Sequence, residues 1–87
     1  MNDKYALVTG ASQGLGRAFA TELAKRGIHV LMTALPGEHL GRFATWLSMR
    51  YGVFTDYMEC DLTDITEIRR LTDWAKAYPL YVLINNA

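Results

Sequence analysis

The sequence predicts an α/β fold built on a parallel β-sheet. Short apolar runs alternate with longer segments in which apolar residues recur at helical spacing, in the order βαβαβαβ. The second apolar run is almost continuous, which is typical of a strand covered on both faces. Strands that alternate with helices pair in parallel through right-handed crossovers, so we expect the strand order 3-2-1-4.

The first half of the chain is predicted to supply two strands and two helices. We expect a strand over residues 5–9 and a helix over residues 14–26, ended by Gly27. The inner face of this helix is predicted to carry Leu15, Ala18, Phe19, Leu23 and Ala24. A second strand over residues 28–34 and a second helix over residues 40–50 follow. The inner face of the second helix is predicted to carry Leu40, Phe43, Ala44 and Leu47.

The second half is predicted to add two strands and one helix. A third strand is expected over residues 53–59, and Asp64 with Glu67 resembles a capping pair at the start of a third helix. The inner face of this helix is predicted to carry Ile65, Ile68, Leu71, Trp74 and Ala75. Pro79 stops the helix, and a fourth strand is expected over residues 80–84.

The composition is that of one ordinary globular domain, which we expect to occupy residues 1–87. Nine basic and nine acidic side chains give a formal net charge of zero, which argues against nucleic-acid binding. Cys60 is the single cysteine, and neither His29 nor His39 has a partner at ligand spacing, so we expect no disulfide and no metal site. The chain has neither a leader pattern nor an apolar run of about 18 residues, so we expect a cytoplasmic protein without membrane contact.

Three glycines stand between the first strand and the first helix, in the segment "TGASQGLG". Glycine is unfavourable inside helices and strands, so a cluster of glycines at this join indicates another role. A helix N-terminus offers free N–H groups and partial positive charge, and an anion can approach them where side chains are absent. Gly10, Gly14 and Gly16 are therefore predicted to form an anion-binding loop, with an ordinary tight turn as the alternative.

The spacing of the glycines excludes one nucleotide-binding class and resembles another. No Gly-Lys pair occurs, so the loop is not a P-loop. The Thr-Gly-x3-Gly-x-Gly pattern resembles that of the short-chain dehydrogenase/reductase family. Two further segments resemble the same family at the ends of later strands, namely "CDLTD" at residues 60–64 and "LINNA" at residues 83–87. The resemblance covers the whole chain.

The resemblance implies a Rossmann-like fold that binds NAD or NADP. It implies contacts with the phosphates and ribose from Gly10, Ser12, Gln13, Gly14, Leu15 and Gly16. It also implies that Asp61 and the Leu62 backbone hold the adenine, and that Asn86 and Ala87 line the ribose side.

Each of the later positions has a structural alternative. Asp61 could instead lead into the third helix as a cap, and both roles can coexist. Asn85 and Asn86 could instead tie strand ends together. We expect Cys60 to pack as an apolar side chain beside the adenine site rather than to take part in catalysis.

The choice between NAD and NADP rests on the end of the second strand. An acidic residue there bonds the ribose hydroxyls of NAD and repels a 2′-phosphate. This place holds Ala34, Leu35 and Pro36, while Glu38 is expected in the first turn of the next helix. With no acid in place we favour NADP, although Leu35 is not the arginine that an NADP enzyme often carries. Arg42 or His39 could reach the phosphate.

The catalytic residues of the family are absent from the chain. The resemblance implies a catalytic Ser and a Tyr-x3-Lys pair further along, yet no Tyr-x3-Lys occurs here. We therefore expect an N-terminal fragment, truncated after the fourth strand, of an NAD(P)-dependent oxidoreductase that transfers hydride to or from a small carbonyl or alcohol substrate. The fragment alone is expected to be inactive. The alternatives are a stand-alone nucleotide-binding or assembly module and, less favoured, a methyltransferase.

The strand order also predicts self-association. The third crossover runs opposite to the first two, so only the third helix would cover the second face of the sheet. The fourth strand, residues 80–84, would then be an apolar edge without a charge or proline to protect it. Pairing of two copies would cover this edge, so we expect a homo-oligomer, most simply a dimer.

Overall fold

The computed structural model describes residues 3–86, and its elements follow the predicted order. In chain order they are β1 (Tyr5–Val8), α1 (Gly14–Lys25), β2 (His29–Ala34), α2 (Leu40–Tyr51), β3 (Thr55–Glu59), α3 (Ile65–Ala75) and β4 (Leu80–Ile84). The ends differ from the predicted ones by no more than two residues, except that α3 ends at Ala75, ahead of its predicted stop at Pro79. Within residues 3–86, no helix is long and apolar enough to cross a membrane.

The four strands form one parallel sheet in the order β3-β2-β1-β4, as predicted. Leu7 in β1 stands opposite Leu31 in β2 on one side and Leu83 in β4 on the other. Since all strands run the same way, their carboxyl ends meet at one edge. The order reverses there between β1 and β4, which is where open parallel sheets bind ligands.

The main core lies between one face of the sheet and helices α1 and α2. Alternate strand residues supply the sheet side of this core, namely Val8, Val30, Met32 and Ala34. The helices contribute Ala20, Ala24, Leu40, Phe43, Ala44 and Leu47. The prediction for the inner face of α2 is therefore confirmed.

The predicted inner face of α1 is wrong apart from Ala24 and, in part, Leu23. The buried residues of α1 are Gly16, Ala20 and Ala24, and Leu23 packs against the core from the side. Leu15 is 61% exposed, Phe19 is 37% exposed and Ala18 is also exposed. The helix is rotated because its close approach to the loop after β1 leaves room only for small side chains.

The opposite face of the sheet is covered by α3 alone, and incompletely. Leu7, Leu31 and Thr33 are buried on this side, together with Leu71 of α3. The predicted inner face of α3 is only partly correct, since Ile65 is 62% exposed and Ile68 is 37% exposed, while Trp74 and Ala75 are half-buried. Because α3 lies towards β3, to which it is hydrogen bonded, its other flank is left uncovered by the part of the chain that the structure describes.

Of the capping pair predicted at the start of α3, Asp64 is confirmed and Glu67 is not. The Asp64 carboxylate accepts a hydrogen bond of 2.9 Å from the Thr66 N–H, so Asp64 is the N-cap. Glu67 does not complete a capping box, because it pairs with Arg70 at 3.1 Å. Arg70 also donates to the Glu59 carbonyl and so ties α3 to the end of β3.

An aromatic cluster closes the end of the sheet away from the glycines. Tyr5 lies between His29 and Tyr78, with ring centroids 4.8 Å and 5.4 Å away, and Phe54 packs beside them. Asp56 accepts hydrogen bonds from the Tyr78 hydroxyl at 3.0 Å and from the indole N–H of α3's Trp74 at 3.3 Å. The cluster thus joins the end of α3 to β3.

Replacing Tyr78 by Phe should remove one of the two side-chain donors to Asp56. We expect the free energy of unfolding to fall by about 0.5–1.5 kcal/mol near neutral pH, measured by urea denaturation. Burial, followed by the hydrogen bond to Asp56, raises the pKa of Tyr78. The stabilisation is therefore present below the ordinary tyrosine pKa and lost as the pH rises through the raised value. Equal stabilities at neutral pH would contradict this role for the hydroxyl.

Candidate functional site

A cavity of about 700 Å³ opens at the carboxyl edge of the sheet. This volume lies within the range that holds a small organic ligand. Each of the four strand ends contributes to it. Its walls are formed by Gly10, Ser12, Gln13, Thr33, Ala34, Leu35, Glu38, Cys60, Asp61, Leu62, Thr63, Asn85 and Asn86.

The glycine loop takes a backbone path that requires glycine at two positions. Gly10 and Gly14 have positive φ angles of 61° and 59°, which side chains with a Cβ rarely adopt. Gly16 has a different constraint, because a Cβ there would lie 2.0 Å from the Gly10 carbonyl oxygen. A Cβ at Gly14 would meet nothing within 4 Å, so the space beside it is open to a ligand.

The first turn of α1 begins at Gly14, beside this open space. The N-cap residue Gln13 makes no side-chain hydrogen bond to the helix, in contrast to Asp64 at the start of α3. The first N–H groups of α1 therefore keep their capacity to bind an anion, and the helix dipole adds partial positive charge. This end of α1 fits a phosphate group.

A hydrogen-bonded clamp holds the ends of β1 and β4 together. The Thr9 hydroxyl donates to the Asn85 side-chain oxygen at 3.1 Å and accepts from the Asn86 N–H at 2.8 Å. The Asn86 side-chain amide donates to the Gly10 carbonyl at 3.4 Å. The asparagines therefore tie strand ends together, and both also line the cavity.

Asp61 forms a local turn at the opposite wall of the cavity. Its carboxylate accepts from the Thr63 N–H at 2.9 Å and from the Thr63 hydroxyl at 2.7 Å. These two hydrogen bonds, the backbone one foremost, hold the pKa of Asp61 below its usual value. Asp61 is thus an exposed, ionised acceptor, and the side chain that caps α3 is Asp64 instead.

Cys60 lies under the same wall and is 2% exposed. Burial, followed by the nearby carboxylates of Glu67 and Asp61, raises the pKa of the Cys60 thiol against the opposing effect of Arg70. The thiol is therefore protonated at neutral pH and packs as an apolar side chain, as predicted.

Glu38 departs from its predicted place. It was expected in the first turn of α2, but α2 begins at Leu40 and His39 has a positive φ of 58°. This left-handed residue breaks the helical path and leaves Glu38 outside the helix, half-buried in the cavity wall. There its carboxylate accepts a hydrogen bond from the Ser12 hydroxyl.

Most of the predicted contact residues meet at this cavity. Those that line it are Gly10, Ser12, Gln13, Leu35, Asp61, Leu62 and Asn86. Gly14, Leu15 and Gly16 form the first turn of α1 rather than the cavity wall, and Ala87 lies outside the described residues. The wall also contains Thr33, Thr63 and Glu38, none of which was predicted to contact a ligand. The position of Glu38, an acidic residue shortly after the second strand, was the only feature of the sequence that could have indicated its place in the cavity wall.

The family model for the short chain dehydrogenases matches residues 4–87. The chain belongs to the short-chain dehydrogenase family. This confirms the resemblance seen in the glycine loop and in the segments that follow β3 and β4.

The relatives of the chain are oxidoreductases by name. It is 36% identical over 83 residues to the very-long-chain 3-oxoacyl-CoA reductase of Anas platyrhynchos, covering 94% of this chain and 27% of that protein. It is 32% identical over 84 residues to hydroxysteroid dehydrogenase-like protein 1 of Gallus gallus, covering 95% of this chain and 25% of that protein. The chain therefore spans about a quarter of the length of these curated relatives.

Solved structures show the same fold with a bound nicotinamide cofactor. A short-chain dehydrogenase from Sphingobium yanoikuyae in complex with NADPH has a TM-score of 0.89 and 29% identity, over 97% of this chain and 34% of that one. L-sorbose reductase from Gluconobacter frateurii, complexed with NADPH and L-sorbose, has a TM-score of 0.90 and 27% identity, over 99% of this chain and 34% of that one. The present chain thus shares the fold of these NADPH-bound structures over about a third of their length.

Replacing Gly16 by Ala should disrupt the loop that forms the site. The added Cβ would lie 2.0 Å from the Gly10 carbonyl oxygen, which is backbone and cannot rotate away. We expect a loss of about 1–3 kcal/mol in the free energy of unfolding, measured by urea denaturation. Ala18→Ser on the exposed side of the same helix is the control, with an expected change below about 0.5 kcal/mol. A Gly16→Ala variant as stable as the control would show that the approach of helix and loop is not tight.

Proposed function

We propose that this chain binds NADP(H) and forms the cofactor-binding part of an oxidoreductase acting on a small carbonyl or alcohol substrate. The main support for this proposal is a single cavity at the switch point of the sheet. One wall is the glycine loop before the N-terminus of α1, which has no side-chain cap, and the opposite wall carries the hydrogen-bond acceptor Asp61. A dinucleotide has an anionic pyrophosphate and a polar adenine edge, which match these two walls.

Each wall has a distinct part in holding the cofactor. The N–H groups in the first turn of α1 would bind the pyrophosphate, with Gly14 leaving the approach free. Ser12 and Gln13 would contact the ribose and phosphates, and Asp61 with the Leu62 backbone would hold the adenine. Asn86 and Ala87 would line the ribose side. When bound, the nicotinamide supplies or accepts a hydride, whereas the residues of this chain bind and orient it.

Two observations support NADP over NAD. β2 ends in Ala34, followed by Leu35 and Pro36, so no carboxylate stands at the strand end itself, and the nearby Glu38 carboxylate is hydrogen bonded to Ser12. The similar structures from Sphingobium yanoikuyae and Gluconobacter frateurii hold NADPH. We also propose a cytoplasmic location, as expected from the sequence pattern.

Gly14→Ala should weaken NADPH binding to the 87-residue chain without unfolding it. The methyl group would enter the open space that the phosphate must use, so we expect about a tenfold or greater loss of affinity by calorimetry. Gly52→Ala is a matched control, because Gly52 also has a positive φ and open space but lies at the end of α2. If both variants lost NADPH affinity equally, backbone strain would explain the effect, and the proposed site would be contradicted.

The 87-residue chain should show no dehydrogenase activity with alcohols or carbonyls. Family members use a Tyr-x3-Lys pair for proton transfer, and this chain contains no such pair. Loss of a general acid/base lowers rates by about 10²–10⁴-fold, and the substrate-binding residues must also come from elsewhere. Turnover of NADPH by rigorously purified 87-residue protein would contradict this prediction.

The uncovered flank of the sheet favours a second proposal, that the chain self-associates through β4. Tyr81 and Leu83 are 60% and 61% exposed, and Ile68 of α3 lies 37% exposed beside the same face. Among residues 3–86, β4 pairs only with β1 and so forms an edge of the sheet. Edge strands of this kind pair with further chains, and a two-fold dimer would cover both the edge and the apolar face.

Leu83→Lys should convert such a dimer to a monomer, as measured by light scattering at micromolar concentration. The lysine would place a charge in the apolar contact, whereas Met49→Lys, on the exposed surface of α2, serves as the control. A monomer mass for the unmodified chain, or a dimer that Leu83→Lys leaves intact, would contradict the proposed interface.

A further inference from the structure

A second cavity of about 380 Å³ adjoins the first and shares Glu38 with it. It lies between α1 and α2. Its walls are formed by Arg17, Glu38, His39, Arg42, Phe43 and Trp46. The two cavities thus meet at the carboxylate of Glu38, which is hydrogen bonded to Ser12, a residue proposed to contact the ribose and phosphates.

Two arginines of the second cavity have no carboxylate partner. Arg17 lies over the ring of Phe43, with 4.0 Å between its guanidinium carbon and the ring centroid, and Phe43 is itself stacked on Trp46. Within residues 3–86, neither Arg17 nor Arg42 has a carboxylate within ion-pair distance. Both guanidinium groups keep donors free for an anion, and a planar guanidinium suits a phosphate.

Glu38 lines the same cavity as these arginines, but its carboxylate accepts a hydrogen bond from Ser12, at the glycine loop of the first cavity. A negative charge here opposes the entry of a second anion and occupies the Ser12 hydroxyl, which could otherwise donate to that anion. The end of β2, where the choice between NAD and NADP is commonly made, carries no charged residue in this chain, since Leu35 follows Ala34 there.

We propose that the contact between Ser12 and Glu38 is a gate for the 2′-phosphate of NADP. The phosphate displaces the Glu38 carboxylate from Ser12 and is bound by Arg42, with Arg17 behind it on the Phe43 ring. Arg42 is then the residue that selects NADP, and Glu38 is the residue that limits this selectivity. The proposal rests on the proposed function, because it assumes that a dinucleotide occupies the first cavity.

The test compares the binding of NADPH and NADH to the 87-residue chain by calorimetry. Arg42→Gln should weaken NADPH about tenfold and leave NADH unchanged. Glu38→Gln should strengthen NADPH several-fold and leave NADH unchanged, since the amide keeps the size of the side chain but removes its charge. The NADPH affinity of the unmodified chain should fall with added salt more steeply than its NADH affinity.

Matched variants separate local from general charge effects. Arg50→Gln removes an exposed arginine from the same helix outside the cavity, and Glu59→Gln removes an exposed carboxylate at the end of β3. Neither should change the ratio of the two affinities. Arg17 and Arg42 are exposed, and thermal unfolding of each variant verifies that the fold is retained.

Three results would overturn the gate. If Glu38→Gln weakens NADH, the carboxylate binds the ribose hydroxyls and selects NAD. If Arg42→Gln lowers both affinities equally, or neither, Arg42 does not contact the 2′-phosphate. These two results leave the proposed function intact. If the unmodified chain binds neither dinucleotide, the proposed function fails and the gate fails with it.

Discussion

The site depends on the absence of a side chain at Gly16. A Cβ there would lie 2.0 Å from the Gly10 carbonyl and 2.8 Å from the Asn86 amide, so the first turn of α1, the loop after β1 and the end of β4 meet within van der Waals contact. This contact sets the tilt and rotation of α1. It also explains why the buried face of α1 is Gly16, Ala20 and Ala24 rather than the bulkier residues nearby.

The clamp around Thr9 makes the same region rigid from the other side. Thr9 is 5% exposed and takes part in bonds to the asparagines that end β4, while the N–H of Thr9 donates to the Ile84 carbonyl at 2.9 Å. The two strands on either side of the switch point therefore end in fixed positions. Preorganised backbone donors bind an anion at lower entropic cost, which is what a cofactor site requires of its scaffold.

The two faces of the sheet differ in how fully they are covered, and this difference has a topological cause. Two right-handed crossovers run one way from β1 and place α1 and α2 on one face, whereas a single crossover runs the other way and places α3 on the opposite face. The main core is consequently complete, and the flank formed by Ile68, Tyr81 and Leu83 remains exposed. The incomplete cover of this face does not affect the cavity at the carboxyl edge of the sheet, because strand ends rather than helix-covered faces form that cavity.

The sequence by itself determined the order of elements, the strand order, and most of the cavity wall. The apolar periodicity, the glycine spacing and the segments after β3 and β4 are local features of the sequence. Such features can be recognised from the order of the residues alone. The tertiary structure alone decided which face of α1 is buried, that Glu67 pairs with Arg70 rather than capping α3, and that Glu38 turns back to Ser12. The burial of α1 and the turn of Glu38 depend on how closely elements separated in sequence approach one another, whereas Glu67 pairs within α3 with Arg70, which also reaches across to the end of β3. Steric fit between distant segments sets the distance of their approach, and it leaves no periodic signal in the chain.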